Sequence, residues 1–167
     1  MKDFIVISGA PGSGKSTIAK LLQKQLGCPR VNLGWIRQWH LKLDWSNASK
    51  EEEEMSFETL VFALRNYVKH GYRNVLVEDL EDDKVQKIAE QFADGNYIIC
   101  SLIVDDDEEL KKRVLSERDS GYKNFESAIE WNHKLKKRGL VNKEFRIDNS
   151  HNEPSKAVEQ ILSLVLE

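Results

Sequence analysis

Residues 9–16 read Gly-Ala-Pro-Gly-Ser-Gly-Lys-Ser and match the phosphate-binding pattern G-x-x-x-x-G-K-S at every fixed position. The preceding residues 4–7 are apolar and mostly β-branched, which is typical of a buried strand. Residues 17–26 carry apolar side chains at helical spacing and are followed by Gly27, a common helix terminator. A strand, a glycine-rich loop and a helix in this order are the context that the pattern requires. This feature therefore predicts a nucleoside triphosphate site at the start of an α/β fold.

The chemistry of such a loop assigns roles to its residues. Glycines let the backbone curl until its N–H groups point at a phosphate, and the start of the following helix adds partial positive charge. Lys15 would reach the β- and γ-phosphates as a catalytic residue, and the Ser16 hydroxyl would bind Mg²⁺. We expect ATP and Mg²⁺ as cofactors, with the base preference left open. The expected cofactor-binding residues of the loop are Gly9, Gly12, Ser13, Gly14, Lys15, Ser16 and Thr17.

Size and charge narrow the class of protein. A chain of 167 residues with a net charge of −3 accommodates one domain and has no overall basic surface, so we expect no nucleic acid partner. No apolar run approaches the length of a membrane span, and the chain begins with a strand. We therefore expect no membrane association, no leader peptide and a cytoplasmic location. Cys28 and Cys100 lack metal-site spacing, and we expect a monomer or a homodimer.

Apolar runs typical of strands alternate with helical patterns along the whole chain. Five runs are expected to form strands, within residues 4–7, 30–33, 74–77, 97–104 and 145–147. Ser49, followed by four glutamates at 51–54, marks the start of one of the intervening helices. Alternating strands and helices predict a parallel sheet with helices on both faces. We expect a three-layer α/β/α sandwich around a five-stranded parallel sheet.

A triphosphate site is shared by small-molecule kinases, GTPases and ATPase motors. A GTPase would carry an Asn-Lys-x-Asp guanine signature, but residues 142–145 read Asn-Lys-Glu-Phe and lack the aspartate. No Asp-x-x-Gly sequence follows the third predicted strand, and 167 residues cannot hold the additional subdomains of a large ATPase. These differences favour a small kinase.

Residues 31–37, Val-Asn-Leu-Gly-Trp-Ile-Arg, follow the second predicted strand. They resemble the acceptor segment of the small P-loop kinases, the superfamily that includes adenylate, shikimate and gluconate kinases. The resemblance places Arg37 on the arginine that clamps the acceptor phosphate, places Gly34 on the family glycine, and implies an acceptor-binding insert at about 34–70. Trp35 stands where these kinases often have aspartate, and we expect it to contact the acceptor. A planar guanidinium suits an anionic acceptor.

The third predicted strand ends in Glu78 and Asp79, which resembles the Walker B position of these kinases. Carboxylates at that end of a strand face the nucleotide crevice in such folds. The resemblance assigns Glu78 to Mg²⁺ through a bound water and leaves Asp79, as a catalytic residue, to orient or deprotonate the acceptor hydroxyl. The two roles could be exchanged, because adjacent strand residues point to opposite faces. Alternatively, one of the pair caps the helix that begins near Asp82.

Residues 110–118, Leu-Lys-Lys-Arg-Val-Leu-Ser-Glu-Arg, are similar to the helix that enters the lid of these kinases. The resemblance implies that Arg113 contacts the adenine and phosphate side of the donor. It also implies that Arg118 is a catalytic arginine in a short lid at about 118–125. Arg138 could be a second lid arginine, although a solvated helix end is the preferred interpretation. Residues 147–150 resemble the loop that lines the adenine pocket.

Aromatic residues surround the predicted acceptor segment. Trp35 and Trp39 are four residues apart, so a helix would place both on one face, where they could stack on an acceptor or pack against the sheet. Trp131 is expected in core or lid packing. The nucleotide kinases' Asp-Gly-Phe-Pro-Arg segment is replaced here by residues 78–82, Glu-Asp-Leu-Glu-Asp, which removes a second acceptor arginine.

Together these features predict an ATP- and Mg²⁺-dependent phosphotransferase with a small-molecule phosphate acceptor. A nucleotide or nucleoside is the first choice of acceptor, because of Gly34 and Arg37. A sugar acid or shikimate-like acceptor and an antibiotic kinase are the alternatives within the same class. An ATP-binding regulatory protein with weak ATPase activity is the alternative from another class.

Overall fold

The computed structural model describes residues 1–40, 49–116, 121–151 and 153–166. Five strands form one parallel sheet, in the spatial order β2-β3-β1-β4-β5. The strands are β1 Phe4–Gly9, β2 Arg30–Asn32, β3 Val75–Glu78, β4 Tyr97–Ile103 and β5 Glu144–Asp148. All six residues of β1 are buried, because this central strand is covered on both faces.

The described residues form seven helices between and after these strands. They are α1 Lys15–Leu26, α2 Leu33–Arg37, α3 Lys50–Lys69, α4 Asp82–Gln91, α5 Asp107–Leu115, α6 Phe125–Lys137 and α7 Pro154–Leu166. The start of α3 confirms the predicted cap: the Ser49 hydroxyl accepts from the Glu52 N–H, and the Glu52 carboxylate accepts from the Ser49 N–H. None of the described helices is long and apolar enough to cross a lipid bilayer.

The two faces of the sheet carry separate apolar layers. Alternate residues of β1 point to opposite faces, since side chains alternate along a strand. Phe4 and Val6 pack against α2, α3 and α4, whose buried residues include Leu33, Phe57 and Val85. On the other face, Ile5 and Ile7 pack against α1 and α7, including Ile18, Leu22, Val158 and Ile161. The predicted three-layer α/β/α sandwich with five parallel strands is confirmed.

Strand order places the β1–α1 turn at the centre of the carboxyl edge of the sheet. The next strand in sequence to pair with β1 is β3 on one side, and β4 pairs with it on the other side. Connections therefore diverge from β1 in opposite directions, and a crevice opens above its end, which is where open α/β sheets bind ligands. The glycine-rich loop lies at this point.

The structure ends two helices earlier than a helical reading of the sequence allows. The helix predicted to continue to residue 118 ends at Leu115, and Ser116 has extended backbone. The helix α2 ends at Arg37, and Trp39 lies in a turn. Trp35 and Trp39 consequently do not share one helix face, because the condition for it, a helix through both residues, is not met.

Candidate functional site

The phosphate loop forms a cradle that only a chain with these glycines can form. Gly9 and Gly14 have φ values of 139° and 100°, in the region that L side chains rarely adopt. A Cβ atom on Gly9 would lie 2.6 Å from the Leu102 carbonyl oxygen, and one on Gly14 would lie 2.5 Å from Asn149 Nδ2. The backbone therefore approaches β4 and the loop after β5 too closely for any other residue.

Lys15, the first residue of α1, folds back over the mouth of this cradle. Its ammonium group donates to the carbonyl oxygens of Gly9 at 2.8 Å and Ala10 at 3.0 Å. Ser16 and Thr17 follow on the exposed first turn of the helix. The ammonium, the α1 N-terminus and the loop N–H groups thus concentrate positive charge at one point, as phosphate binding requires.

The cradle fits a polyphosphate. Ser13 is fully buried, and its hydroxyl has no hydrogen-bond partner among the described residues, so a ligand oxygen would satisfy it. The described part of the chain contains no group of three or more His, Cys, Asp or Glu side chains placed to hold a metal ion. Mg²⁺, the ion expected at this loop, is usually held by one or two protein oxygens together with substrate phosphates and water. Ser16 offers such an oxygen.

Asn149 contacts the phosphate loop, and it was not among the site residues predicted from the sequence. Its side chain is 3% exposed, and its Nδ2 donates to the Ser13 carbonyl oxygen at 2.8 Å. Residues 147–150 resembled an adenine-pocket loop, but nothing in the sequence distinguished Asn149 within it. The contact joins the loop after β5 to the phosphate loop across 136 positions of sequence.

Arg113 holds this same loop after β5 in place. Its guanidinium donates to the carbonyl oxygens of Asn149 at 2.9 Å and Ser150 at 2.7 Å, and to Glu109 Oε1 at 2.8 Å. The loop stays close to α5 as a result. Asp148, the last residue of β5, has a pKa below its usual value, because the Ser150 hydroxyl donates to its carboxylate.

Glu78 and Asp79 lie at the end of β3, next to β1, and their environments differ. Glu78 is 1% exposed, and its Oε1 lies 3.1 Å from Arg30 Nε, whereas its Oε2 has no hydrogen-bond partner among the described residues. Asp79 is exposed and has a φ of 67°, which ends the strand. Its Oδ2 packs against Gly34 so closely that a Cβ atom added to this glycine would lie only 2.5 Å away. Neither residue caps α4, whose N-cap is Glu81.

On the acceptor side, Arg37 is buried and paired. Its Nε and Nη2 atoms donate to Glu53 Oε2 on α3 at 2.9 and 2.6 Å. Trp35 is 46% exposed, and the Arg30 guanidinium lies 4.9 Å from the centroid of its ring. The structure thus brings Trp35, Arg30 and Glu78 together, while Arg37 contacts a carboxylate of the protein itself. Arg118 lies outside the described residues.

Arg138 differs from the solvated helix end that the sequence indicated. Its side chain is 18% exposed and bridges two acidic residues, with Nη1 at 2.7 Å from Glu144 and Nη2 at 2.8 Å from Asp82. Burial raises the pKa of Glu144, but hydrogen bonds from Arg138, Ser101 and the Val141 N–H outweigh it, so the pKa is below the usual value. Because the partners come from three separate segments, sequence proximity gave no sign of this network.

Trp131, expected in core or lid packing, is partly buried and lies beside the phosphate loop. The Lys15 ammonium lies 5.9 Å from the centroid of its ring, so α6 contributes to the surroundings of the phosphate loop. Its position 116 residues after Lys15 carries no recognisable motif. Only the packing of α6 beside β1 and β4 brings the indole to this site.

Comparison with known proteins agrees with this fold. Residues 5–132 match the family model described as AAA domain. Among solved structures, a sugar kinase from Janibacter sp. HTCC2649 superposes with a TM-score of 0.70 and 16% identity, covering 98% of this chain and 94% of the other. A gluconokinase from Sinorhizobium meliloti 1021 gives 0.67 and 16%, with 97% and 90% coverage. A shikimate kinase from Bacteroides thetaiotaomicron gives 0.66 and 14%, with 98% coverage of both.

Two curated proteins match shorter segments. A cytidylate kinase from Sulfurisphaera tokodaii is 58% identical over 33 residues, which is 20% of this chain and 18% of that protein. A protein from Pyrococcus abyssi that is provisionally named adenylate kinase is 36% identical over 75 residues, which is 45% of this chain and 39% of that protein. The matched segments thus span well under half the length of these curated relatives.

Proposed function

The chain belongs to the AAA domain family, and on that premise we propose that it is a small P-loop kinase, an ATP- and Mg²⁺-dependent phosphotransferase acting on a small-molecule acceptor. The observation that carries the proposal is the arrangement at the carboxyl edge of the sheet. The phosphate cradle follows β1, and Glu78 and Asp79 end the adjacent β3. Asp79 in turn meets Gly34 of α2. A donor site, two carboxylates and an acceptor segment are therefore contiguous.

Donor binding is assigned to the cradle. Lys15 binds the β- and γ-phosphates, with its ammonium already held at the loop mouth by two carbonyl oxygens. Ser16 and the unpartnered Oε2 of Glu78 supply oxygen for Mg²⁺, directly or through water. When bound, Mg²⁺ neutralises negative charge on the phosphates. Arg113 supports the donor site indirectly, because it holds the loop after β5 through two carbonyl oxygens.

Acceptor activation is assigned to Asp79. Its exposure and left-handed backbone direct a carboxylate away from the end of β3, next to α2. A carboxylate there accepts the proton of an acceptor hydroxyl or orients that hydroxyl, while the acceptor is held by Trp35 and the rest of the segment. Arg118 remains a proposed lid arginine, on the strength of its sequence context alone.

The acceptor class follows from the pairing of Arg37. An acceptor phosphate would compete with Glu53, which already accepts two hydrogen bonds from this guanidinium. We therefore place a hydroxyl of a nucleoside first and a nucleotide second. A sugar acid or shikimate-like acceptor is the alternative, favoured by the partly exposed Trp35 ring, since aromatic rings stack on sugar faces.

A screen of ADP release tests the proposal. The protein with Mg·ATP is assayed against nucleosides, nucleoside monophosphates, sugar acids, shikimate and aminoglycosides, with Lys15→Ala as the inactive control. Stimulation by one compound class is the expected result and names the acceptor. Tight ATP binding with ADP release that no compound stimulates would favour the regulatory alternative instead.

The role of Arg37 is tested by a pair of substitutions. If Arg37 clamps an acceptor anion, Arg37→Ala raises the acceptor KM, and Glu53→Gln, which removes the charge that competes for the guanidinium, lowers it. If Arg37 serves only to join α2 to α3, both variants lower the melting temperature and leave the acceptor KM unchanged. Arg73→Ala is a matched control, because Arg73 is a partly exposed arginine that bonds to nearby carbonyl oxygens of Val68 and Tyr72.

A further inference from the structure

Trp131 lies beside the phosphate cradle with its indole ring over the Lys15 ammonium. The ring centroid is 5.9 Å from Lys15 Nζ, within the range of a cation–π contact. That same ammonium is held by the carbonyl oxygens of Gly9 and Ala10 at the loop mouth. The indole is therefore a neighbour of the position that a terminal phosphate would occupy.

The indole N–H of Trp131 is buried and has no acceptor among the described residues. A buried donor without a partner carries the full cost of its lost hydration. Native proteins retain few such groups, and each calls for an acceptor that is supplied from elsewhere. An indole offers a donor and no acceptor, so only an oxygen or another electron-rich atom can satisfy it.

The helix α6 is anchored in a way that holds this indole in position. The adjacent Asn132 is fully buried, donates to the Val104 carbonyl oxygen at 2.6 Å, and accepts from the Val104 N–H at 3.1 Å. His133 lies 2.8 Å from Asp107 at the start of α5. These contacts come from the two residues that follow Trp131, and they tie α6 to the residue after β4 and to the start of α5. The helix that carries the indole is therefore held in place by the fold itself.

We infer that the indole N–H of Trp131 donates a hydrogen bond to a β- or γ-phosphate oxygen of the bound nucleotide. The inference rests on the proposed nucleotide site. A phosphate oxygen that binds Lys15 is an anionic acceptor brought next to the ring, and hydrogen bonds to charged acceptors are the strong ones. Trp131 is thus a binding residue that favours nucleoside triphosphates over monophosphates.

The first test observes the N–H itself. The chain has four tryptophans, so ¹⁵N-labelled protein shows four indole N–H signals, and Trp131→Phe identifies the relevant one by its loss. We expect this signal to move downfield with Mg·ATP and to stay in place with adenosine. A signal that moves only when an acceptor compound is added would overturn the assignment to the donor phosphates.

The second test measures nucleotide affinity by calorimetry. Trp131→Phe keeps an aromatic ring and removes the donor, so the Kd for Mg·ATP should rise about tenfold or more, with little change for AMP. Trp39→Phe, at a 75% exposed tryptophan, is the matched control and should leave both values unchanged. An unchanged Kd for Mg·ATP in Trp131→Phe would refute the inference.

These outcomes separate the inference from the proposed function. Acceptor-stimulated ADP release with an unchanged Trp131→Phe affinity refutes only the role of the indole. Failure of the wild-type protein to bind Mg·ATP refutes both. If Trp131→Phe does not fold, replacement of the three other tryptophans by phenylalanine leaves one indole signal, and its response to Mg·ATP decides the question.

Discussion

Replacing Arg138 by methionine removes the cation that Asp82 and Glu144 share in a buried ion-pair network. Glu144, whose carboxylate is fully buried, then loses hydrogen bonds of 2.7 and 2.8 Å from this guanidinium. Asp82 loses its own bonds of 2.8 and 2.9 Å. The methionine retains much of the apolar stem, so the change isolates the charge from the packing.

The magnitude follows from the burial of Glu144. Removing one partner of a buried ion pair costs about 3–5 kcal/mol, because it leaves an uncompensated charge out of water. Glu144 keeps donors in the Ser101 hydroxyl at 2.5 Å and the Val141 N–H at 2.9 Å, so we expect the lower end of that range. For a chain of this size, about 3 kcal/mol lowers the melting temperature by roughly 6–12 °C.

Thermal unfolding followed by circular dichroism measures the effect, and the same helix provides the control. Lys134 and Glu130 form an ion pair whose N–O distance is also 2.7 Å, but their side chains are 74% and 66% exposed. Lys134→Met should therefore leave the melting temperature unchanged within error. Adding Glu144→Gln to Arg138→Met should recover part of the loss. Equal shifts for the two single variants would refute the argument that burial, rather than distance, decides the cost.

Three further predictions concern acid stability, the cradle and a helix cap. The pKa of Glu144 is depressed in the folded state, so its ionised carboxylate stabilises the fold above pH about 4.5, and this stabilisation is lost as the pH falls through the lower folded pKa. In urea unfolding at pH 3–7, the free energy of unfolding of Glu144→Gln should therefore fall less steeply with acid than that of the wild-type protein. Gly12→Ala should abolish Mg·ATP binding in calorimetry, because its Cβ would lie 2.8 Å from Val114 Cγ2. Gly27 also has a positive φ but has open space around it, so Gly27→Ala should lower stability and keep Mg·ATP binding. Ser49→Ala should lower the free energy of unfolding in urea by about 1 kcal/mol, since it removes the capping box of α3; an unchanged midpoint would show that the cap contributes nothing.

The sequence by itself determined the fold class and the position of the phosphate loop. Those properties depend on local patterns: buried strands read as apolar runs, and the loop at residues 9–16 needs its glycines whatever surrounds it. The five strands and the start of a helix after Ser49 were predicted for this reason, since each is marked by residues close together in the chain.

Only the tertiary structure decided which side chains meet across the chain. The pairing of Arg37 with Glu53, the burial of Arg138 between Asp82 and Glu144, and the approach of Trp131 to Lys15 join residues from separate elements. A charged or aromatic residue on a helix carries no local sign of its partner, because that partner depends on how helices pack over the sheet. Hence the phosphate loop was recognisable in the sequence, whereas the side chains that surround it were not.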